Sequence, residues 1–520
     1  MTGTHAASPA AVAGAVGVSA TPREPSRRRP SRPLLGVILG ATLLTRLPGL
    51  ISARAFNPDE ATLAVGGRVL AGGGKLYVDF LDRKPPLPFA VYGVIDRIFG
   101  TDDLRPVRAV AALLVVAAAV VVADEADRRW GRRASWVAGL TVVLGASALG
   151  AQDAQPANFE LFALLPIAVA VVAAARGRAI LAGAALAGAV LCKQPAAVTA
   201  LPVAFSLWRL QRGRGVLVGA VASVAAGVAL AAPFGIGRVL QWALLGTGGY
   251  LGLSAGDLGL AAVRLIALAG LAVGFWGGAW LLTVAAGTGT GVDEPAGAAR
   301  GRADVDLWLL LGASFMGVVA GFRFFPHYLL QLLPAVALLA GRGASRRPAW
   351  VRPAAAWGVA AAVVALALAS AQALNPIAPL QRRVPAYVRS HSRPGDTILV
   401  WGNVPEIYWR SGRDPAGGFS HTEFVTGYSG GRRHQEASQA DVPDEDLYRR
   451  FLTRLRQERP VLVVDTAAPD ERGGRWFPLR RFPALTSMLE AHYRRVATVE
   501  GAPIYRLDDG SAAPSPRPGG

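Results

Sequence analysis

Long apolar runs recur from Leu34 to Ala373, and they limit what this chain can fold into more than any other feature. The runs are rich in Ala, Val, Leu and Gly, and each approaches the ~20 residues that an α-helix needs to cross a bilayer. Over the 520 residues, 52% are apolar, which is typical of an integral membrane protein. The sequence therefore predicts a bundle of membrane helices from residue 34 to 374.

Twelve apolar segments are visible, and several are shorter than a comfortable span, so we predict about 11 membrane helices. The segments are 34–51, 86–99, 107–123, 134–150, 159–175, 179–192, 196–208, 215–233, 258–284, 305–321, 326–340 and 351–373. Between the first two lies a long charged loop, residues 53–85, in which we expect surface helices. We call it the first loop.

The formal net charge of +19 raises the alternative of a nucleic-acid-binding protein. The arginines, however, cluster beside the membrane segments, where the positive-inside rule predicts cytoplasmic loops, so we expect no nucleic-acid partner. These arginines are Arg27, Arg28, Arg29, Arg128, Arg129, Arg132, Arg133, Arg212, Arg214, Arg300, Arg302, Arg346 and Arg347. The rule predicts a cytoplasmic N-terminus, an external first loop and an external C-terminal region.

The path of residues 86–123 stays open between two alternatives. If the basic stretch 124–133 is cytoplasmic, residues 86–123 cross once and one half is a re-entrant or surface helix. If both halves cross, the basic stretch lies outside, against the charge rule. From residue 209 onward the pattern is consistent, with 209–214, 290–304 and 341–349 inside and with 234–257 and 322–326 outside.

The two ends of the chain differ from its apolar middle. Residues 1–33 and 509–520 have few large apolar side chains and are predicted to be disordered tails, the first without a signal peptide. Residues 375–508 predict a small soluble α/β domain, with strands at 396–401, 460–465 and 502–507 and helices at 445–458 and 484–495. Cys192 is the only cysteine, so no disulfide can form within the chain.

The first loop carries opposed charges at its two ends. Asp59 and Glu60 follow the first membrane segment, and a carboxylate there is a candidate general base for a hydroxyl that attacks a sugar. The alternative is that Asp59 only caps a helix that begins at Pro58. Asp82 and Lys84 precede Pro85-Pro86 at the other end, where a fixed lysine can meet a phosphate or merely snorkel to lipid headgroups.

Further charged residues interrupt later apolar segments. Asp153 lies near the start and Glu160 at the end of a short polar break at 152–160. Inserting an acid at bilayer depth costs ~2.5–3.5 kcal/mol of free energy unless the acid is paired or hydrated. Lys193 stands between an apolar run and a proline. Arg323, His327 and Tyr328 follow the end of another run, where arginine and histidine can grip a phosphate.

These residues resemble the pattern of the GT-C glycosyltransferases, in particular bacterial relatives of protein O-mannosyltransferases and lipid A aminoarabinose transferases. The likeness covers roughly residues 34–340. It rests on Asp59-Glu60, on the run from Asp82 to Leu87, and on Phe99-Gly100 with Arg108. It also includes Asn158-Phe159-Glu160, Lys193 and the run from Arg323 to Tyr328 in recognisable order. An arginine that follows the acidic pair in the aminoarabinose enzymes is absent here, and lysine replaces the mannosyltransferase histidine before Pro85.

The resemblance implies an inverting transferase that takes a hexose or related sugar from a polyprenyl-phosphate carrier. Asp59 would be the catalytic carboxylate with Glu60 in support, and the donor phosphate would contact Lys84, Lys193, Arg323, His327 and Tyr328. Glu160, Asp153 and Asp82 would contact the donor sugar or the acceptor, a lipid, glycan or protein of the cell envelope.

The sequence thus predicts an all-α polytopic plasma-membrane protein with a GT-C-like domain and a small C-terminal α/β domain. Its expected partners are membrane lipids, the lipid-linked donor and the envelope acceptor. No closed metal site is visible in the sequence, and the use of a divalent metal stays open. Two alternatives to an enzyme are a transporter or lipid flippase, whose charges would line a path through the membrane, and a catalytically silent scaffold.

Overall fold

The computed structural model describes residues 2–3, 31–246, 255–288, 304–428 and 437–508. The predicted tails, residues 1–33 and 509–520, lie almost entirely outside these ranges, and so does most of the predicted cytoplasmic loop 290–304. The described part is an α-helical bundle followed by a small sheet with helices packed around it. The predicted fold class, a polytopic helical protein with a C-terminal α/β region, is confirmed.

Twelve main helices form the N-terminal part of the described chain. They are α1 Arg32–Ile51, α2 Pro58–Ala71, α3 Pro86–Phe99, α4 Arg105–Trp130, α5 Arg132–Ser147, α6 Phe159–Ala175, α7 Ala179–Cys192, α8 Ala200–Ala231, α9 Ala255–Thr288, α10 Val305–Val319, α11 Leu333–Arg346 and α12 Val351–Leu374. Short helical turns at Ala151–Ala154, Gln194–Thr199, Ala232–Phe234, Ile236–Val239, Leu240–Leu245, Pro326–Leu332 and Pro348–Trp350 connect them. By length and composition, six helical stretches of the described residues could cross a membrane, and four shorter apolar helices of 10–17 residues accompany them.

Residues 86–123, whose path the charges left open, form one short helix and one long one. The 14 residues of α3 reach only about 21 Å at 1.5 Å per residue, less than the ~30 Å hydrocarbon core. The 26 residues of α4 are long and apolar enough to span it. The lengths agree with the alternative in which this region crosses the membrane once, through α4. In that alternative α3 does not cross and packs on α2 of the first loop.

The predicted segments 196–208 and 215–233 form the single helix α8, which is interrupted at Arg212. The backbone of Arg212 has φ 56° and ψ −151°, outside the helical region, so the helix changes direction there. A left-handed conformation is rare for a residue with a side chain. The two predicted segments are therefore the two arms of α8, one on each side of a basic turn.

Small residues allow the membrane helices to approach closely. At Gly343 in α11, a Cβ atom would lie 1.8 Å from the backbone oxygen of Leu282 in α9. Van der Waals packing of this kind, rather than the hydrophobic effect, drives helix association in lipid. Large apolar side chains such as Val221, Val224 and Ile266 are exposed, as expected for residues that face lipid tails.

The C-terminal region holds a five-stranded sheet in the order β2-β1-β3-β5-β4. Its elements are α13 Pro379–Ser390, β1 Thr397–Trp401, α14 Pro405–Ser411, β2 Asp414–Pro415, α15 Glu445–Glu458, β3 Leu462–Asp465, α16 Pro483–His492, β4 Tyr493–Val499 and β5 Ala502–Leu507. β1 is parallel to β2 and β3, whereas β5 is antiparallel to β3 and β4. Leu399, Val463 and Ile504 are buried in this sheet.

The predicted helix 484–495 is too long. It ends at His492, and Tyr493 begins the edge strand β4, which pairs with β5 across the turn at Glu500-Gly501. Helix and strand follow each other without a Gly or Pro between them, so the local sequence did not reveal the change. Tertiary pairing with β5 decides the conformation.

The sheet region packs directly on the first loop. Arg68 of α2 donates to Asp414 at 3.0 Å and to the backbone oxygen of Tyr408 at 3.1 Å. The backbone N–H of Leu81 donates to the oxygen of Gly418 at 2.8 Å. The loop is therefore enclosed between the membrane helices and the C-terminal region, which restricts how its charged residues can be arranged.

Candidate active site

Asp59 lies in the first turn of α2, whose start is well defined by its sequence. The side chain of Asn57 accepts a hydrogen bond from the N–H of Glu60 at 2.9 Å, and Pro58 occupies the first helical position. Asn57, rather than Asp59, therefore caps the helix. The Asp59 carboxylate is left to point away, and its Oδ1 lies 2.5 Å from Lys84 Nζ.

Charge pairing keeps Asp59 ionised. Burial alone would raise its pKa, but the positive charges of Lys84, His327 and Lys193 outweigh that effect and hold the pKa below the ordinary value of 3.8. Burial would likewise lower the pKa of Lys84, but the carboxylates of Asp59 and Asp82 hold it above its ordinary value. The two groups face each other as a carboxylate and an ammonium.

Lys84 is fixed at both ends of its backbone. Its N–H donates to Asp82 Oδ1 at 2.9 Å, and its carbonyl accepts from the Tyr77 hydroxyl at 2.7 Å. Pro85 and Pro86 then start α3, which packs closely on α2 because Gly66 and Gly67 face Phe89 and Tyr92.

Glu60 has a different environment from its neighbour. It is fully buried, and Arg108 of α4 donates to both of its oxygens at 2.8 and 2.7 Å. The backbone N–H groups of Phe56 and Ala157 donate to the same carboxylate at 3.0 and 3.2 Å. All of its acceptor positions are in use, so Glu60 can hold α2, α4 and the polar break together but is not placed to take a proton.

Glu160 and Lys193, predicted from separate segments, form an ion pair. Lys193 Nζ lies 2.7 Å from Glu160 Oε1, and both side chains are largely buried. Both lysines contact the aromatic ring of Phe159, with Lys84 Nζ 4.8 Å and Lys193 Nζ 5.6 Å from its centre. Tyr328 also contacts Lys193, whose Nζ is 4.9 Å from the tyrosine ring centre. Such cation–π contacts hold ammonium groups where water is scarce.

His327 connects the two predicted acidic residues of the polar break. Its Nδ1 lies 2.6 Å from Asp153 Oδ1, and its Nε2 lies 3.8 Å from Glu160 Oε1. The ring stacks on Phe325 with centres 5.6 Å apart. A carboxylate on one ring nitrogen fixes the orientation of the other nitrogen.

The contacts thus join seven of the ten predicted site residues into one cluster, which we call the charged cluster. Its members are Asp59, Lys84, Asp153, Glu160, Lys193, His327 and Tyr328. Asp82 borders it through the N–H of Lys84. Arg323 is buried four residues before His327, in a turn where Phe322 and Phe324 have positive φ. Glu60 belongs to the buried pair with Arg108.

Three residues that were not predicted as site residues contact the predicted ones or a residue next to them. Phe159 contacts both lysines, Arg108 neutralises Glu60, and Gln194 donates to the backbone oxygen of Arg83 at 2.8 Å. Phe159 and Gln194 directly adjoin predicted site residues, which was the available signal. Asn158 is also fully buried, and among the described residues neither its side-chain oxygen nor its side-chain nitrogen has a hydrogen-bond partner.

The carboxylates and the histidine of the charged cluster do not form a metal site by themselves. Within the described residues, no group of three or more His, Cys, Asp or Glu side chains could hold a metal ion. Each carboxylate of the charged cluster instead faces a lysine or a histidine. The arrangement offers a carboxylate that can accept a proton and cations that can neutralise an anion.

Residues 83–235 match the family model described as dolichyl-phosphate-mannose-protein mannosyltransferase, a range that includes Lys84, Glu160 and Lys193. Curated protein sequences gave no match. Among solved structures, ArnT from Cupriavidus metallidurans bound to undecaprenyl phosphate is similar over 93% of this chain and 98% of its own, with 15% identity and a TM-score of 0.56. The same protein in the apo state has a TM-score of 0.57 at 15% identity and covers 92% of this chain and 99% of its own.

The Archaeoglobus fulgidus oligosaccharyltransferase in complex with Zn and sulfate is similar over 91% of this chain and 73% of its own, with 13% identity and a TM-score of 0.53. At these identities the likeness concerns the fold. The predicted resemblance to the GT-C fold is confirmed, and it extends beyond the membrane helices to the C-terminal region.

Proposed function

We propose that this chain, which has the GT-C fold, is a membrane glycosyltransferase that moves a sugar from a polyprenyl-phosphate carrier to an envelope acceptor. The observation that carries the proposal is the charged cluster, in which Asp59 lies 2.5 Å from Lys84 beside Glu160 and Lys193. The family match over residues 83–235 and the structural likeness to ArnT support the same class of reaction.

In the proposed reaction, an acceptor hydroxyl attacks the anomeric carbon of the sugar from the face opposite the phosphate. The new bond joins the acceptor oxygen to this carbon, and the bond from the carbon to the phosphate oxygen breaks, so the configuration inverts. The electron pair leaves with the phosphate, and Asp59 takes the proton of the hydroxyl. Lys84 and Lys193 stabilise the charge that grows on the leaving phosphate, with Arg323, His327 and Tyr328 as further donor contacts.

The ion pair between Asp59 and Lys84 suggests how the base becomes available. A carboxylate held by an ammonium at 2.5 Å is a weak base, because its pKa lies below 3.8. The donor phosphate competes for the same ammonium. When Lys84 turns to the phosphate, Asp59 loses its strongest positive neighbour and becomes a stronger base. Donor binding therefore precedes proton removal.

The remaining predicted residues have supporting roles in this proposal. Glu160, Asp153 and Asp82 contact the donor sugar or the acceptor, and Glu60 keeps α2 in position through Arg108. We place the reaction on the outer face of the plasma membrane, with the N-terminus in the cytoplasm and residues 375–508 outside. The transporter alternative requires charges along a path through the membrane, whereas these charges gather in one cluster.

The test is replacement of Asp59 in cells. A deletion strain is complemented with the wild-type gene, Asp59→Asn or Asp79→Asn, and envelope lipids, glycans and glycoproteins are compared by mass spectrometry. Asp79 is the matched control, because it is an exposed carboxylate of the same loop that accepts from the N–H of Lys75. We expect Asp59→Asn to reduce product by roughly 100- to 10,000-fold and Asp79→Asn to restore it.

Two outcomes would reject the proposal when the variants reach the membrane in equal amounts. Full restoration of the product by Asp59→Asn would fit a scaffold. An unchanged envelope profile in the deletion strain, with accumulation of an untransported solute, would fit a transporter.

A further inference from the structure

Residues 81–84, close to the end of the first loop, are held by the C-terminal region on one side. Leu81 donates its N–H to Gly418, and the Arg83 guanidinium lies 2.5 Å from Glu423 Oε1. The guanidinium carbon of Arg83 also lies 5.1 Å from the ring centre of Phe424. Arg83 therefore reaches from the loop into the C-terminal region one residue before Lys84.

The same residue is held by the membrane helices on its other side. The side-chain nitrogen of Gln194 donates hydrogen bonds to two backbone oxygens, that of Arg83 at 2.8 Å and that of Ala243 at 3.0 Å. Gln194 directly follows Lys193, the second lysine at Phe159. Arg83 thus links the segment that carries Lys84, the segment that carries Lys193 and the C-terminal region.

The pair between Arg83 and Glu423 is shielded enough to fix this link. Its side chains are 18% and 14% exposed, in contrast to the pair between Arg68 and Asp414, where the aspartate is 50% exposed. Water screens a shielded pair less than an exposed one. A lysine has a long flexible side chain, so its ammonium is held accurately only when its backbone is fixed.

We infer that Glu423 of the C-terminal region is a positioning residue of the donor-phosphate site. Through Arg83 it holds the backbone of Lys84, so that the ammonium lies between Asp59 and the phosphate. The inference rests on the proposed function, because it takes Lys84 as a phosphate ligand. It gives the C-terminal region a role in donor binding, in addition to any contact with the acceptor.

The test measures binding of undecaprenyl phosphate to the purified full-length protein, which needs neither the sugar nor the acceptor to be known. The variants are Lys84→Met, Glu423→Gln, the charge exchange Arg83→Glu with Glu423→Arg, and the matched control Asp414→Asn, which breaks another pair between the same regions. We expect about a tenfold weaker Kd for Glu423→Gln. We also expect partial recovery in the charge exchange and a change below twofold for Asp414→Asn.

The outcomes separate this inference from the proposed function. If Lys84→Met binds the lipid as tightly as the wild type, the proposed phosphate site is wrong. If Lys84→Met weakens binding but Glu423→Gln stays within twofold of the wild type, only the positioning role is wrong. Equal weakening by Glu423→Gln and Asp414→Asn, or no recovery in the charge exchange, would also overturn it, because general loosening of the two regions would then explain the loss.

Discussion

At the scale of single residues, the two adjacent acids of the first loop have opposite fates. Asp59 is partly exposed and faces one lysine, whereas Glu60 is buried and accepts four hydrogen bonds. Their neighbourhoods follow from the first turn of α2, since successive helical residues point in directions about 100° apart. One acid thus faces the charged cluster and the other faces α4.

The pairing of Asp59 predicts a specific pH dependence. A carboxylate base works in its deprotonated form, so activity falls as the pH drops through its pKa. In the free protein the pKa of Asp59 lies below 3.8, and kcat/KM should therefore show no acid limb from this group above that pH. In the donor complex Lys84 faces the phosphate, the pKa of Asp59 rises, and the acid limb of kcat should appear at higher pH.

The measurement is the pH profile of both kinetic parameters in the wild type and in Lys84→Met. Without Lys84 the pKa of Asp59 is raised already in the free protein, because burial is then opposed only by the remaining charges. The two acid limbs should therefore lie closer together in this variant than in the wild type, whatever its absolute rate. If the acid limbs of kcat/KM and kcat lie at the same pH in the wild type, donor binding does not separate Asp59 from Lys84.

At the scale of elements, the pair between Glu60 and Arg108 joins α2 to α4. Arg108 also donates to the backbone oxygens of Gly49 and Ser52, at 2.8 and 2.7 Å, so it connects the end of α1 as well. Glu60→Gln leaves the arginine charge buried without its counter-charge. We expect destabilisation by roughly 3–5 kcal/mol, measured as loss of folded protein on heating or denaturant titration in detergent.

Asp103→Asn is the control for this prediction. Its pair with Arg105 lies at the start of the same helix, but the arginine side chain is 53% exposed, so losing this pair should change the stability little. Replacing both Glu60 and Arg108 with Met should recover part of the stability lost in Glu60→Gln, because no unpaired charge remains. Equal stability of Glu60→Gln and Asp103→Asn would contradict the role assigned to the pair.

The site residues could be predicted from the sequence, but their pairing could not. Lys84, Glu160, Lys193 and His327 could be selected because each charge adjoins a proline or interrupts an apolar run, where solvation of an ordinary loop explains it poorly. Which of them pair could not be predicted, since the partners are up to 174 residues apart, as for His327 and Asp153. Arg108 belongs to the motif that carries the resemblance, but its pairing with Glu60 depends on how α2 and α4 pack.

The boundaries of helices and strands were harder to predict from the sequence than the charged site residues. The start of β4 at Tyr493 depends on pairing with the separate strand β5, whereas the break of α8 at Arg212 falls in the basic stretch 209–214 that separates two predicted segments. The hydropathy of 86–99 resembled a span, but its short length and its packing on α2 distinguish α3 from the long helix α4. Apolar composition alone does not separate a membrane helix from a helix buried by its own protein.

At the scale of the whole molecule, the charged cluster lies where three parts of the chain meet. The first loop provides Asp59 and Lys84, the ends of the membrane helices provide Glu160, Lys193 and His327, and the C-terminal region holds the loop through Arg68 and Arg83. A site of this kind needs all three parts on one side of the membrane. The proposed orientation is therefore a condition of the proposed chemistry.

Single cysteines can test this orientation, because Cys192 is the only natural cysteine and is buried. In a Cys192→Ala background, one cysteine replaces an exposed residue of the first loop, of the basic stretch 124–133 or of the C-terminal region, namely Lys75, Arg133 or Arg450. If the proposed orientation is right, both positions 75 and 450 lie outside, and a membrane-impermeant maleimide should label them in intact cells. Position 133 should be labelled only after the membrane is permeabilised, because the positive-inside rule predicts that the basic stretch 124–133 is cytoplasmic.

Labelling of position 133 in intact cells would mean that residues 86–123 cross the membrane twice, in spite of the short α3. Protection of position 450 together with labelling of position 75 would separate the C-terminal region from the first loop. That result would be incompatible with the contacts of Arg68 and Arg83 and with a single site formed by the three parts. Retained activity of the cysteine-free protein is the control that the background is intact.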